Sequence, residues 1–184
     1  GTCVLFGDGA GAVVLEARQE DGDRGMISTF LRTDGRMHDL LYVDGGPSRT
    51  QSVGKVRMVG NAVFRQAVEH ISGAMLEACA RAGVSLDAVD WFVPHQANQR
   101  IIEAVVTRSG VPMDKVMLTV ERYGNMSAAT VPVALAEALE EGRVKPNSLV
   151  LMPAFGAGLT VCAHLVRWGD RVTPLGATDA DLPP

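Results

Sequence analysis

Two polar residues that follow predicted strands are the first candidates for chemistry. His95 comes directly after the apolar residues 91–94, and Asn125 comes just ahead of a predicted helix. Open α/β sheets bind ligands beside the carboxyl ends of their strands. A histidine and an asparagine that converge there can donate hydrogen bonds to a developing oxyanion. Taken singly, His95 is also typical of a hydrogen-bonded loop residue, and Asn125 of a helix cap.

Two glycine-rich segments can bring backbone close to a ligand. Residues 155–158 join two apolar stretches, and their N–H groups could approach a reacting carbonyl, although a tight turn between strands explains the glycines equally. Residues 7–12 contain three glycines but match neither the dinucleotide fingerprint nor the phosphate-binding loop, and a strand is predicted after them. NAD and ATP binding are therefore excluded.

The three cysteines, Cys3, Cys79 and Cys162, have no spacing that suggests a disulfide framework or a metal site. Cys3 falls in an apolar stretch at the start, away from any helix N-terminus that would lower its pKa. Cys79 and Cys162 are predicted to be small core residues of a helix and a strand. None is a convincing nucleophile. The pattern favours a protein of the reducing cytoplasm, with no bound metal or cofactor.

The elements that must position these residues alternate between strand and helix. Apolar residues at intervals of three and four predict a long helix over residues 63–82, ended by Gly83. By the same criteria, further helices are predicted over residues 98–109 and 127–141, and strands over residues 13–16, 26–31, 91–94, 115–120, 149–154 and 159–167. The first two strands are expected to pair as a hairpin, and residues 33–58 to form a long surface loop. Such alternation indicates a parallel or mixed sheet covered by helices.

Composition limits the partners that the chain can have. The 184 residues are 47% hydrophobic and 21% charged with a formal net charge of −4, and no basic run interleaves with aromatic residues, so nucleic acid is not expected. No stretch reaches the roughly 18 consecutive apolar residues of a membrane span. Because the first residue is Gly1 rather than Met, the chain is expected to begin inside a longer protein. Residues 1–168 are predicted to form the domain and residues 169–184 a disordered tail.

Four segments in this order and spacing carry a family resemblance: residues 5–12, 93–98, 123–129 and 154–158. They resemble the thiolase-fold condensing enzymes, and within them the type III β-ketoacyl-acyl-carrier-protein synthases. The resemblance extends over residues 2–168. It implies the C-terminal half of a thiolase-like α/β fold, with a mixed five-stranded sheet and helices on both faces.

The resemblance also implies a reaction. In this family a cysteine of the first half accepts a short acyl group, such as acetyl, from coenzyme A. Malonyl-acyl-carrier-protein is then decarboxylated and condensed with that group to initiate fatty acid synthesis. His95 and Asn125 resemble the catalytic residues of the second half. Acyl-coenzyme A and acyl carrier protein are the implied partners, and the full-length enzyme is expected to be a homodimer.

Further roles are implied only by the resemblance. The residues expected to bind the pantetheine arm and the acyl thioester are Gly60, Asn61, Phe64, Ala97, Asn98, Phe155, Gly156 and Ala157. Arg100 resembles a basic contact for the acidic carrier protein. Met126 and Ala157 depart from the family pattern, which commonly has a small hydroxylated residue and a glycine there. These departures leave the length of the primer open.

Two other functions are compatible with the sequence. The chain could belong to a related condensing enzyme with another acyl substrate, such as a polyketide-starter or quinolone-forming enzyme. It could instead be a non-catalytic half that lends its helices to a partner. In either case the isolated chain is expected to be inactive, because a histidine and an asparagine cannot hold the acyl group that a cysteine must accept.

Overall fold

A computed structural model describes residues 4–17, 19 and 22–173 of the chain. Over these residues the strands and α-helices follow in the order β1 (Gly25–Thr33), β2 (Leu41–Val43), β3 (Val56–Met58), α1 (Gly60–Arg81), β4 (Trp91–Phe92), α2 (Gln99–Ser109), α3 (Val120–Tyr123), α4 (Thr130–Glu140), β5 (Leu149–Gly156) and β6 (Thr160–Arg167). None of the helices in this part of the chain is long and apolar enough to cross a membrane. The mixed α/β class predicted from the alternation is confirmed.

The main sheet has the strand order β1-β6-β5-β4. Strands β1 and β5 both run antiparallel to β6, and the short β4 runs parallel to β5. Beyond β4 the chain stays beside β5, because Val93 N donates to Leu151 O and His95 N to Pro153 O, each at 2.9 Å. His95 therefore stands at the carboxyl end of the sheet, as its sequence position predicted.

Each face of the sheet packs against different helices. Leu149 and Leu151 of β5 lie in a buried cluster with residues of α1 and α2. Val150 points to the opposite face and packs in a second cluster with α4. A strand covered on both sides needs a nearly continuous apolar sequence, which is what β5 has. The prediction of helices on both faces is thus confirmed.

Helix α1 is held against the sheet by a stripe of small and apolar side chains. Ala67, Ile71, Ala74, Met75 and Ala78 recur at helical spacing and are buried. Alanines in such a stripe let the helix approach the strands closely. The predicted helix over residues 63–82 is confirmed, with its start at Gly60.

Two predicted strands do not form within the described residues. Residues 13–16 belong to no strand, and Val13, Val14 and Leu15 are 66%, 86% and 81% exposed. A strand requires a neighbour, which the sequence pattern alone cannot supply. Residues 115–120 make one parallel bridge, between Val116 and Phe92. Among the described residues the sheet therefore has four strands instead of five, with this bridge at its edge.

The prediction that residues 33–58 form one long surface loop is wrong. A 3₁₀ turn (Gly35–Leu40) is followed by β2 and β3, which pair with each other as a separate two-stranded sheet. The helix predicted from residue 127 begins later, because Ser127 has a φ of +56° and only a 3₁₀ turn precedes α4. The predicted disordered tail falls largely on residues 174–184, which lie outside the described residues, as does Cys3.

Candidate active site

A cavity of about 990 Å³ lies at the carboxyl end of β5 and is lined in part by residues of α1 and α2. Its walls are mostly apolar, as ligand sites commonly are. The cavity brings together all of the residues singled out from the sequence: Gly60, Asn61, Phe64, His95, Ala97, Asn98, Arg100, Asn125, Phe155, Gly156 and Ala157.

His95 is fixed by both its backbone and its ring. Its N–H donates to Pro153 O at 2.9 Å, and its Nδ1 lies 2.6 Å from the Thr130 hydroxyl. Burial lowers the pKa of His95 to about 4, so the imidazole is neutral at pH 7. The other ring nitrogen, Nε2, has no hydrogen-bond partner among the described residues, and His95 lines the cavity.

Asn125 is held in one orientation by backbone groups. Its Oδ1 accepts a hydrogen bond from Ser127 N at 2.8 Å. Because a side-chain amide has one acceptor and one donor end, this bond leaves the Nδ2 group as the free donor. Within the described chain, Nδ2 has no partner. The Oδ1 bond resembles that of a helix cap, but Asn125 does not cap an α-helix. Asn98 does, because its Oδ1 accepts from Arg100 N at 2.9 Å at the start of α2.

The loop that carries Asn125 is clamped by the glycine-rich segment near the start of the chain. Gly7 N donates to Asn125 O at 3.0 Å, and Asn125 N donates to Leu5 O at 2.9 Å. A Cβ on Gly7 would lie 2.1 Å from Tyr123 O, and one on Gly9 would lie 2.3 Å from Met126 Sδ. Glycine at these positions therefore permits close backbone packing.

This packing role of residues 7–12 was not predicted from the sequence. Glycines at every second position of an extended segment lie on one face of it, and such a face is a signal of close approach by another segment. That signal was present, but it does not say which segment approaches. These glycines do not match a nucleotide-binding motif, and in the structure they pack against the loop that carries Asn125.

Gln96 is a second residue that the sequence did not identify. It is 0% exposed and uses both ends of its amide. Nε2 donates to the carbonyl oxygens of Pro94 and Met117 at 2.8 and 3.0 Å, and Oε1 accepts from the N–H groups of Thr119 and Val120 at 2.9 and 3.2 Å. This amide therefore ties the loop of His95 to the segment that leads to Asn125.

The loop after β5 is both a tight turn and part of the cavity wall. Gly156 pairs with Thr160 across the β5–β6 hairpin, and Gly158 has a φ of +137°, which favours glycine. Phe155, Gly156 and Ala157 line the cavity. The two interpretations of this loop from the sequence are thus compatible.

Neither described cysteine has the properties of a nucleophile. Cys79 is buried in α1, and burial raises the pKa of its thiol. Cys162 was predicted to be a core residue, but it is only half-buried and lines the cavity. Burial raises the pKa of that thiol as well. Both remain protonated at pH 7, whereas the thiolate is the nucleophile.

The arrangement presents two neutral groups to one cavity, an imidazole and a primary amide. Each group is anchored by its other polar atom, His95 by Nδ1 and Asn125 by Oδ1, and this leaves His95 Nε2 and Asn125 Nδ2 free. Fixed neutral donors of this kind stabilise negative charge that develops on an oxygen, since they need no reorganisation during the reaction. No group of three or more His, Cys, Asp or Glu residues in the described ranges could hold a metal ion.

Comparison with known protein families matches two parts of the chain. Residues 79–168 match the model of the 3-oxoacyl-[acyl-carrier-protein] synthase III C terminal, and residues 1–35 match the model of 3-oxoacyl-[acyl-carrier-protein] synthase III. Together the two segments make up more than half of the chain.

Individual relatives agree with these matches. The chain is 53% identical over 172 residues to the β-ketoacyl-[acyl-carrier-protein] synthase III of Bradyrhizobium diazoefficiens, covering 91% of the chain and 53% of that protein. It is 54% identical over 170 residues to the protein of the same name from Caulobacter vibrioides, covering 91% and 53%.

A solved structure gives the same result for the fold. The crystal structure of 3-oxoacyl-[acyl-carrier-protein] synthase III from Aquifex aeolicus matches with a TM-score of 0.82 and 40% identity, covering 91% of this chain and 51% of that one. The chain thus spans about half the length of the curated relatives that it matches.

Proposed function

We propose that this chain supplies the histidine and asparagine of a decarboxylating condensation. The premise is that the chain belongs to the β-ketoacyl-[acyl-carrier-protein] synthase III family and has its thiolase-like fold. The substrates would be a short acyl-coenzyme A, such as acetyl-coenzyme A, and malonyl-acyl-carrier-protein. The observation that carries this proposal is the pair of free, neutral nitrogens, His95 Nε2 and Asn125 Nδ2, on one cavity.

In the proposed reaction the malonyl carboxylate leaves as carbon dioxide. The electron pair of the broken C–C bond moves into the thioester as an enolate, whose oxygen accepts hydrogen bonds from His95 and Asn125. The enolate carbon then attacks an acyl group held as a thioester on a cysteine, forms the new C–C bond and releases the thiolate. Because the enolate charge appears only after decarboxylation begins, these donors favour the transition state over the bound substrate.

The acyl-accepting cysteine would come from outside these 184 residues. Cys79 and Cys162 are protonated and partly or fully buried, which supports this assignment. We therefore expect the isolated chain to carry out no condensation. Full activity from the isolated chain would contradict the assignment.

The remaining cavity residues fit the binding of a long thioester arm. Gly60, Asn61 and Phe64 lie on the first turns of α1, and Ala97 and Asn98 directly precede α2; all five line the cavity. Asn98 is already committed to capping α2, so only its Nδ2 end is available to the arm. Phe155, Gly156 and Ala157 would contact the acyl thioester itself.

Arg100 would meet the carrier protein. It lies on the first turn of α2, is exposed and lines the cavity, so its charge can attract an acidic partner to the entrance. Arg100→Glu should raise KM for malonyl-acyl-carrier-protein and leave KM for malonyl-coenzyme A nearly unchanged. Lys145→Glu is a matched control, because Lys145 is exposed near the opposite, amino end of β5. An equal change for both thioesters would contradict a docking role.

The proposal as a whole is tested on the protein as its organism expresses it. Acetyl-coenzyme A and malonyl-acyl-carrier-protein are supplied, and carbon dioxide release and product formation are measured. His95→Ala and Asn125→Ala should each lower kcat by about 10²–10³, the range for loss of one oxyanion donor. His164→Ala is the control, since His164 lies on β6 against Thr29, outside the cavity. Equal losses in all three variants would refute the assignment.

We further propose that the whole enzyme is a homodimer of the cytoplasm. The free, protonated cysteines are compatible with a reducing compartment. The exposed Val13, Val14 and Leu15 form an apolar stretch that another surface would cover. Light scattering on the expressed protein measures the oligomeric state directly, and a monomer at micromolar concentration would refute this part. The names of the relatives favour a fatty acid initiating enzyme over the other condensing enzymes considered.

A further inference from the structure

Thr130 is a buried residue behind the proposed site that no sequence motif singled out. It is the first residue of α4 and is 0% exposed. Its Oγ1 donates to the carbonyl oxygen of Ser127 at 2.9 Å and lies 2.6 Å from His95 Nδ1. The side chain does not line the cavity, so it can act on a substrate only through His95.

The hydroxyl has one proton and two neighbours that can accept it. Ser127 O is only an acceptor, whereas His95 Nδ1 accepts or donates according to the tautomer of the ring. If the Thr130 proton goes to Ser127 O, then Nδ1 must carry the ring proton and Nε2 is bare. If the Thr130 proton goes to Nδ1, then Nε2 carries the ring proton. Rotation of one hydroxyl therefore accompanies the choice between two tautomers.

The proposed reaction can use only one of these two states. A neutral imidazole carries a single ring proton, and burial holds the pKa of His95 at about 4, so the doubly protonated ring does not contribute at pH 7. Stabilisation of an enolate oxygen requires a donor at Nε2. A bare Nε2 would instead place a lone pair against the developing negative charge.

We propose that Thr130 is a positioning residue that sets the tautomer of His95: when the thioester binds, the hydroxyl proton turns from Ser127 O to Nδ1, so that Nε2–H faces the thioester oxygen. This inference rests on the proposed function, because the required tautomer follows from the enolate. It adds a residue whose hydroxyl is needed for the chemistry although it touches no substrate.

Ser127 connects this choice to the second donor. Its N–H orients the Asn125 amide at 2.8 Å, and its carbonyl competes for the Thr130 proton. The backbone of Ser127 is in the left-handed region, with a φ of +56°, which is uncommon for a residue other than glycine. One unusual backbone conformation thus serves both catalytic side chains.

The test uses the protein as its organism expresses it, with three substitutions. Thr130→Val keeps the shape but removes the hydroxyl, and it should lower kcat for decarboxylation of the malonyl thioester about tenfold, equivalent to about 1.4 kcal/mol. KM should stay unchanged, because the affected bond forms in the transition state. Thr130→Ser keeps the hydroxyl and should retain most of the activity. Thr119→Val is the control, since Thr119 is also 0% exposed and its Oγ1 has no hydrogen-bond partner in the described part of the chain.

A spectroscopic readout separates tautomer choice from a loss of stability. In protein with ¹⁵N-labelled histidine and a bound, non-decarboxylating malonyl thioester analogue, the parent should show a protonated Nε2 and an unprotonated Nδ1. Thr130→Val should move both resonances towards an average of the two tautomers, and Thr130→Ser should restore the parental pattern. An unchanged ring pattern in Thr130→Val, or an unprotonated Nε2 in the parent, would overturn the inference.

The same experiments distinguish this inference from the proposed function. If His95→Ala abolishes decarboxylation but Thr130→Val changes neither kcat nor the ring resonances, only the role of Thr130 is wrong. If His95→Ala has no effect, the proposed function of the site fails and the inference fails with it. The expected result is a loss in His95→Ala together with the spectral and kinetic changes in Thr130→Val.

Discussion

Replacing Gly7 with alanine should displace the loop that carries Asn125. A methyl group on Gly7 would lie 2.1 Å from the carbonyl oxygen of Tyr123, a distance at which one of the two backbone segments must move. Two backbone hydrogen bonds join these segments, from Gly7 N to Asn125 O at 3.0 Å and from Asn125 N to Leu5 O at 2.9 Å. The methyl group therefore separates segments that hold a proposed catalytic residue.

The expected magnitude combines strain with weakened hydrogen bonds. Overpacking typically costs about 1–3 kcal/mol, and each intramolecular hydrogen bond contributes about 0.5–1.5 kcal/mol. We expect the free energy of unfolding to fall by about 2–4 kcal/mol, which a domain stable by about 5–15 kcal/mol survives. A displacement of about 1 Å at the Asn125 amide would lower kcat by about a hundredfold.

Gly9→Ala is the matched control for this substitution. Its methyl group would meet the Sδ atom of Met126 at 2.3 Å, which is the flexible part of a side chain and not backbone. The Cγ and Cβ atoms of the buried Met126 would lie at 3.1 and 3.2 Å, so the whole side chain must shift. We expect a cost of about 1 kcal/mol, smaller than for Gly7→Ala, and little change in kcat. Urea unfolding followed by circular dichroism and a decarboxylation assay measure both quantities. Equal effects of the two substitutions, or no effect of Gly7→Ala, would refute the close-approach argument.

Three further predictions concern residues around the cavity. Gln96→Met removes four hydrogen bonds and leaves two buried and two partly buried backbone groups without these bonds, at about 1–3 kcal/mol for each buried group. An unchanged urea midpoint would contradict this. The pKa of His95 is about 4 in the folded protein, below its ordinary value of 6.5. As the pH falls, the imidazole is therefore protonated in the unfolded chain before it is protonated in the folded one. Stability should therefore fall as the pH drops from 6.5 towards 4, by up to about 3 kcal/mol, and His95→Gln should remove this part of the pH dependence of urea unfolding. Asn98→Ala should lose the cap of α2 and about 1 kcal/mol by thermal unfolding, whereas Asn98→Asp should keep most of it.

Local patterns were sufficient for the elements that bury one clear face. The helical spacing of α1, the nearly continuous apolar run of β5 and the largely apolar residues of β6 identified these three elements. His95 and Asn125 were found because both follow a strand or precede a helix, and the structure places them on one cavity. These features depend on residues that are close together in the sequence.

The features that the sequence missed depend on distant segments. Residues 13–16 have the composition of a strand but form none, and residues 115–120 contribute a single bridge within the described part of the chain. Gln96 bonds to backbone more than twenty residues away, and a buried glutamine has no local pattern that distinguishes it from an exposed one. Secondary-structure propensities depend on residues that are neighbours in the sequence. They therefore predict neither strand pairing nor hydrogen bonds between distant segments.

The way in which the two proposed catalytic residues are held indicates where substitutions should matter most. Asn125 is oriented by backbone groups of Leu5, Gly7 and Ser127, whose side chains take no part in these bonds. Its geometry therefore depends on close backbone approach, which a larger residue at Gly7 would prevent. His95 differs, because its ring is held by the side chain of Thr130. Conservative substitutions should thus be tolerated at Leu5, where only a backbone group is used, and at Ser127 if the new residue accepts a positive φ. At Thr130, where the proton of a hydroxyl is used, only serine should be tolerated.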